Sequence, residues 1–311
     1  DVGTAITVAA TYTDGGGTAE SKASSATGAV VNVNDNPTGS VTITGTVTED
    51  QVLTALNTLA DEDGLGTISY QWQRDGTDIS GAAVSAYTIT QSDVGSAITV
   101  VTSYTDGEGT AETVTSAATG AVVNVNDDPT GSVVISGTAT EDQVLTASNT
   151  LADEDTIGTI SYQWQRGGAD IDGATNTTYT LVQADVGTAI TVAASYTDGE
   201  GTPESSVSGA TAPVANVNDV PIVTITGTPR EDETLTAVVT DEDGIPSDIT
   251  YQWYRNYNDT IGENSEKYTL VQADVGAVIT VIVSFTDGQG TPESSISGAT
   301  APVANVNDDP K

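Results

Sequence analysis

Ile68-Ser69-Tyr70-Gln71-Trp72-Gln73 alternates strictly in character. Ile68, Tyr70 and Trp72 fall on one face of an extended chain, and Ser69, Gln71 and Gln73 on the other. That period of two marks a strand with one buried side. The same alternation continues outward. Val41-Thr42-Ile43-Thr44 and a strand beginning Leu53-Thr54-Ala55 precede it; Tyr87-Thr88-Ile89 and the series Ile98, Val100, Thr102, Tyr104 follow. Turn clusters lie between, such as Asp61-Glu62-Asp63-Gly64 and Asp106-Gly107-Glu108-Gly109. No segment has helical periodicity of useful length. Short β-branched strands punctuated by turns indicate an all-β fold built as a β-sandwich.

The pattern recurs. Asn34-Asp35-Asn36-Pro37, Asn126-Asp127-Asp128-Pro129, Asn218-Asp219-Val220-Pro221 and Asn307-Asp308-Asp309-Pro310 punctuate the chain, with prolines 92, 92 and 89 residues apart. A fixed period of this size is the mark of a tandem array, and the tetrapeptides are its joints. Residues 38–129 are one full repeat and 130–221 a near copy. Residues 222–311 are a third, with two short deletions and a divergent loop at Asn256–Lys267. Residues 1–37 match only the second half of a repeat, so the chain reads as a window cut from something longer. Linkers of about six residues stiffened by proline imply a tandem array extended as a rod.

Composition removes several classes of function. Seven basic residues against 44 acidic ones give a formal charge of −37. Nucleic-acid binding needs cationic partners for phosphate, and an anionic membrane repels such a chain. There is no Cys, His or Met. Thiol nucleophiles, Cys/His zinc sites and every triad with a histidine base are therefore excluded. No stretch reaches the roughly 18 apolar residues of a membrane span, so no membrane insertion is expected.

Trp72 on its strand, followed by Asp93-Val94-Gly95 before Ile98-Thr99-Val100, resembles the immunoglobulin-type sandwich. In that family a Trp fills the core and an Asp-x-Gly corner precedes a central strand; the inter-sheet disulfide is missing here. The Asn-Asp-x-Pro joints and Thr-Asp-Gly-x-Gly-Thr turns resemble the cadherin-like repeats of very large, calcium-dependent bacterial surface adhesins. The resemblance covers the whole chain. It implies secretion to a bacterial cell surface or an extracellular fibre, and a structural role in adhesion or biofilm.

Sandwich topology brings the acidic loops to the joints. The turn between the first two strands lies at the far end of a repeat. The loop between the second and third strands and the last hairpin lie at the near end. The joint at residues 34–37 is therefore expected to gather Asn34, Asp35, Asp61, Asp63 and Asp106. That at 126–129 gathers Glu49, Asn126, Asp127, Asp153, Asp155 and Asp198, and that at 218–221 gathers Glu141, Asn218, Asp219, Asp241, Asp243 and Asp287. Carboxylates and carbonyls in such number match the oxygen ligands of Ca2+. Cadherin-like junctions use a similar arrangement.

Other residues read as structural. Arg74, Arg166 and Arg255, each two after the Trp, share its face and are expected to pair with Asp93, Asp185 and Asp274, keeping those out of the calcium shell. Tyr12, Tyr104 and Tyr196 occupy one repeated position, which is Phe285 in the third repeat, indicating packing. Tyr254, Tyr257 and Lys267 form a candidate contact surface. The sequence reading is a calcium-rigidified spacer, not an enzyme, whose partners are neighbouring repeats. The alternatives are a ligand-binding adhesin region with its site on the third repeat, or a self-assembling filament in which further copies of the chain complete residues 1–37.

Overall fold

The structure is a computed structural model that describes residues 1–307. Asp308, Asp309 and Pro310 of the last tetrapeptide lie outside the described residues. The chain forms two compact units: Asp1–Asp128 with Glu154–Thr156, and Pro129–Asp153 with Ile157–Lys311.

In the first unit, β1 (Ala9–Thr13) and β2 (Ala19–Ala23) pair as a two-stranded sheet whose residues are all exposed. The sandwich that follows has seven strands: β3 (Val41–Thr44), β4 (Val52–Asn57), β5 (Ser69–Arg74), β6 (Thr77–Asp78), β7 (Ala86–Thr88), β8 (Ile98–Thr105) and β9 (Ala111–Thr115). One sheet runs β3-β4-β7 and the other β6-β5-β8-β9, all antiparallel. The second unit holds two more sandwiches of identical order. The first comprises β10 (Val133–Ser136), β11 (Val144–Asn149), β12 (Ser161–Arg166), β13 (Ala169–Asp170), β14 (Thr178–Thr180), β15 (Ile190–Thr197) and β16 (Pro203–Val207). The other comprises β17 (Ile222–Thr226), β18 (Thr234–Thr240), β19 (Thr250–Arg255), β20 (Asp259–Ile261), β21 (Lys267–Thr269), β22 (Ile279–Thr286) and β23 (Pro292–Ile296). The fold is all-β, with immunoglobulin-like sandwiches in tandem.

Each core follows from the alternation. Along β8 the odd members Ile98, Val100, Thr102 and Tyr104 are buried. They meet Leu53 and Ala55 of the opposite sheet around a wholly buried Trp72. A Trp buries roughly 200 Å2, about 5 kcal/mol at ~25 cal/mol per Å2. Its indole N–H donates to the Val84 carbonyl at 2.8 Å, and its ring stacks on Tyr87 with centroids 5.7 Å apart. Trp164 and Trp253 repeat both contacts, donating to Asn176 and Ser265.

The expected ion pairs are present. Arg74, Arg166 and Arg255 reach Asp93, Asp185 and Asp274 at 2.7, 2.7 and 2.6 Å, and all three carboxylates are fully buried. Each Asp also accepts a tyrosine hydroxyl and a backbone N–H, which ties the corner to the core. These aspartates are committed to structure.

The third repeat departs locally. Gln73 and Gln165 receive the hydroxyls of Thr99 and Thr191. Tyr254 stands in that place, half-buried, and Thr280 beneath it is wholly buried with no partner for its hydroxyl. Tyr254 therefore belongs to packing more than to an open surface. Tyr257 is 59% exposed and holds φ +67 in the β19–β20 turn, where Gly76 and Gly168 stand in the other sandwiches.

Candidate metal centres at the joints

The first component is a glutamate held by a turn. Thr48 to Gln51 closes a β-turn through a 3.2 Å hydrogen bond, and Asp50 takes φ +60 at its third position. Asp tolerates this left-handed conformation better than most side chains. At the second position of the turn, Glu49 donates its N–H to Val123 O at 3.0 Å, and Val123 N–H returns to Val47 O at 3.1 Å. Glu49 is thereby turned inward, 1% exposed, with Oε2 accepting the Val125 N–H at 3.3 Å. Glu141 and Glu231 repeat this geometry, accepting from Val217 and Val306 at 3.2 and 3.0 Å.

The second component is the joint itself. Asp127 N–H donates to Asp155 Oδ2 at 2.9 Å, and carboxylate oxygens of Glu49, Asp127 and Asp155 all lie within 4.8 Å of one another. In the second unit Asp219 N–H donates to Asp243 Oδ2 at 2.8 Å, and the matching trio is Glu141, Asp219 and Glu242. Two full charges at that separation repel by about 3 kcal/mol at an effective dielectric near 20. Burial, then Asp127, Asp50 and Asp155, push the Glu49 carboxyl above its ordinary range despite the Val125 bond. Burial, then Asp219, Asp142 and Asp243, do the same to Glu141. Three acids are thus held together where a proton or a cation is the natural occupant.

The third component is the final hairpin. Asp106 Oδ1 accepts the N–H groups of Glu108 and Thr110 at 2.9 and 2.7 Å, fixing the turn. Its Oδ2 is buried and has no partner, as is true of Asp198 and Asp287. Asp61 sits beside it, bound to the Tyr104 hydroxyl at 2.6 Å, and Asp153 is bound to that of Tyr196. The repeated tyrosine therefore has a polar task as well as a packing one. Phe285 lacks the hydroxyl, so Asp241 Oδ2 is left buried and unpartnered, and burial followed by Asp243, Asp287 and Glu293 raises its pKa.

The residues expected from sequence thus fall into two neighbouring sets. Glu49, Asp127 and Asp155 converge; at the next joint Glu141 and Asp219 do so with Glu242 as the third acid, while Asp243 accepts the Asp219 N–H. Asp61, Asp106, Asp153, Asp198, Asp241 and Asp287 build the loop pairs. Asp63 Oδ2 accepts the Asp35 N–H at 2.8 Å, the same clamp one joint earlier. Asn34 and Asn218 turn their amides to Glu112 and Glu293 at 2.9 and 2.8 Å, and Asn126 is also engaged.

Sequence reasoning missed Glu242, and it missed the amides Gln91, Gln183, Asn124 and Asn216, whose oxygens are buried without a donor. Their recurrence at one position per repeat was the available signal. Orphaned buried oxygens beside clustered carboxylates fit a hard divalent cation, which takes about six to eight oxygen ligands. Among the described residues no helix is long and apolar enough to cross a membrane.

No protein-family model and no curated protein matches the chain. Among solved structures it is similar to a Ca2+-stabilised adhesin that helps an Antarctic bacterium reach out and bind ice. That pair shares 14% identity at a TM-score of 0.30, over 96% of this chain and 82% of the other. It is also similar to a tetra-tandem repeat from the extending region of a large adhesion protein, at 17% identity and TM-score 0.32 over the same shares. A third is a 1.5-MDa bacterial ice-binding adhesin, at 12% identity and TM-score 0.25, over 88% of this chain and the whole of the other.

Proposed function

We propose that this chain is a calcium-rigidified spacer within a large bacterial surface adhesin or extracellular fibre protein. Its repeats are residues 38–129, 130–221 and 222–311, with 1–37 the second half of another. The observation that carries the reading is the recurring joint: a buried Glu from one sandwich, the linker Asp, and an acid from the following loop, all with oxygens facing one another. Such a joint is unfavourable while all its acids are charged and empty-handed, and a divalent cation offsets the repulsion. A cation that binds only the assembled joint stabilises it by mass action. Glu49, Asp127 and Asp155, and Glu141, Asp219 and Glu242, would hold the ion, with Asp243 beside them. The ion supplies only charge and coordination; the residues fix the geometry.

The same joint occurs at 126–129 and again at 218–221, which suits a mechanical role and not a unique reaction centre. The Asn-Asp-x-Pro joints and Gly-rich acidic turns, similar to those of surface adhesins, support placement outside a bacterial cell.

The test is thermal melting in millimolar calcium against chelator. A clearly higher melting temperature with calcium is expected; an unchanged one refutes the reading.

A further inference from the structure

Two side-chain amides stand at each of these joints. Gln91 and Gln183 open the one-turn 3-10 helices Gln91–Asp93 and Gln183–Asp185. Gln91 Nε2 donates to Asp155 Oδ1 at 2.9 Å, and Gln183 Nε2 to Asp243 Oδ1 at 3.2 Å. The Oε1 atoms of both are buried and accept nothing. Asn124 and Asn216 likewise bury Oδ1 without a donor. Each immediately precedes the valine, Val125 or Val217, whose N–H is clamped on the buried glutamate.

The third sandwich shows the same two side chains differently engaged. There Gln272 Nε2 donates to Asn305 Oδ1 at 3.1 Å. The glutamine amide and the asparagine oxygen are therefore within reach of each other in one corner. Where the amide is given to an acidic loop instead, the asparagine oxygen loses that donor, and the glutamine's own oxygen is buried beside it without one.

A buried acceptor left without a donor is destabilising, and here two occur together in each of two joints. They stand beside carboxylates that also need a positive partner. Water or a neutral donor would satisfy the amides but leave the acids' repulsion unopposed; a hard cation meets both needs, since it takes neutral carbonyl-type oxygens alongside carboxylates.

We infer that Gln91 with Asn124, and Gln183 with Asn216, are ligands of the joint cation through their amide oxygens. Added to three carboxylates they bring each shell to five protein oxygens, leaving about one to three places for water. The N–H end of each glutamine holds Asp155 or Asp243 at the same time, so one side chain both orients an acid and supplies a ligand. This rests on the calcium reading above and assigns residues to it.

Terbium in place of calcium tests the assignment on the full chain. Luminescence decay measured in H2O and in D2O counts the waters on the bound ion, and the aromatic residues sensitise emission. In Gln91→Ala/Gln183→Ala, one extra water per joint is expected, two per chain summed over the bound ions. Gln91→Glu/Gln183→Glu should return the count to the wild-type value, because a carboxylate oxygen takes the vacated place. Loss of packing alone would not move the water count in this paired manner. Terbium bound by the Ala variant with an unaltered count overturns the ligand assignment while leaving the calcium reading intact. A wild-type chain that takes up neither calcium nor terbium overturns both.

Discussion

Asp185→Ala should be among the most damaging single changes in the second sandwich. The carboxylate is fully buried, and its Oδ1 accepts Arg166 Nε at 2.7 Å. Its Oδ2 accepts the Tyr179 hydroxyl and the Val182 N–H, each at 2.9 Å. Truncation leaves both donors unanswered, and hydrogen bonds to a charged group contribute about 1.5–3 kcal/mol each. It also strands the guanidinium. Removing one member of a buried pair costs about 3–5 kcal/mol. Arg166 is 32% exposed, however, so water screens part of its charge and places the total near the lower end, about 3–4 kcal/mol. A domain of this size shifts by roughly 4–8 °C per kcal/mol, so its melting should fall by at least ~12 °C. Calorimetry in chelator reads this directly, because metal cannot mask the loss. One transition should move and the others stay. A shift under about 4 °C would mean that the corner is an ornament of the fold and not a support.

Three further outcomes are expected. Phe285→Tyr supplies the hydroxyl that Asp241 lacks and should raise stability in chelator by about 1 kcal/mol, while Tyr196→Phe should lower it by a similar amount; equal melting of both variants and the parent refutes the pairing. Gly158→Ala would place a Cβ 2.0 Å from Thr197 O, so the loop must shift, and both melting temperature and calcium affinity should drop; an unaffected affinity detaches that loop from the metal site. The pH dependence in chelator should have two limbs. Burial and neighbouring acids raise the folded pKa of Glu49 and Glu141, so their neutral form favours folding and stability rises as pH falls from neutral toward the ordinary value of 4.5. Asp93 runs the other way. Burial would raise it, but Tyr87, the Thr90 N–H and Arg74 together hold it lower, so its contribution is present above the ordinary 3.8 and is lost as pH falls further. Stability that declines steadily from pH 7 to 5 contradicts the first limb.

How much of this was legible in the sequence depended on the range of each interaction. Alternation along Ile98 to Tyr104 is a local property, and it gave the strands and their buried face. The Arg74–Asp93 pair needed one more step, a parity argument along one strand combined with a known kind of corner. The joints needed topology, and their carboxylates were found because sandwich ends bring particular loops together. The amides of Gln91 and Asn124 recur with the repeat, but the burial of their oxygens was out of reach. Nothing in a glutamine's neighbours tells whether its carbonyl end will be buried away from a donor, because that depends on loops distant in sequence closing around it. The tyrosine hydroxyls were misjudged for a related reason. Replacement by Phe285 looked like evidence of pure packing, but it leaves Asp241 without its partner.

The stitching beside Glu49 bears on how the chain meets force. The Thr48 to Val123 bridge is parallel, as are Thr140 to Ala215 and Arg230 to Ala304, and each is flanked by two main-chain hydrogen bonds. One segment of each pair lies near the start of its sandwich and the other near its end. Tension applied through the chain therefore drags the two parallel segments past each other lengthwise. Both hydrogen bonds are loaded at once and must fail together, unlike a hairpin, which opens one rung at a time. The carboxylate of Glu49, fastened two residues further on to the Val125 N–H, adds a side-chain rung to the same shear seam. A cation gripping that carboxylate would sit on the load path itself.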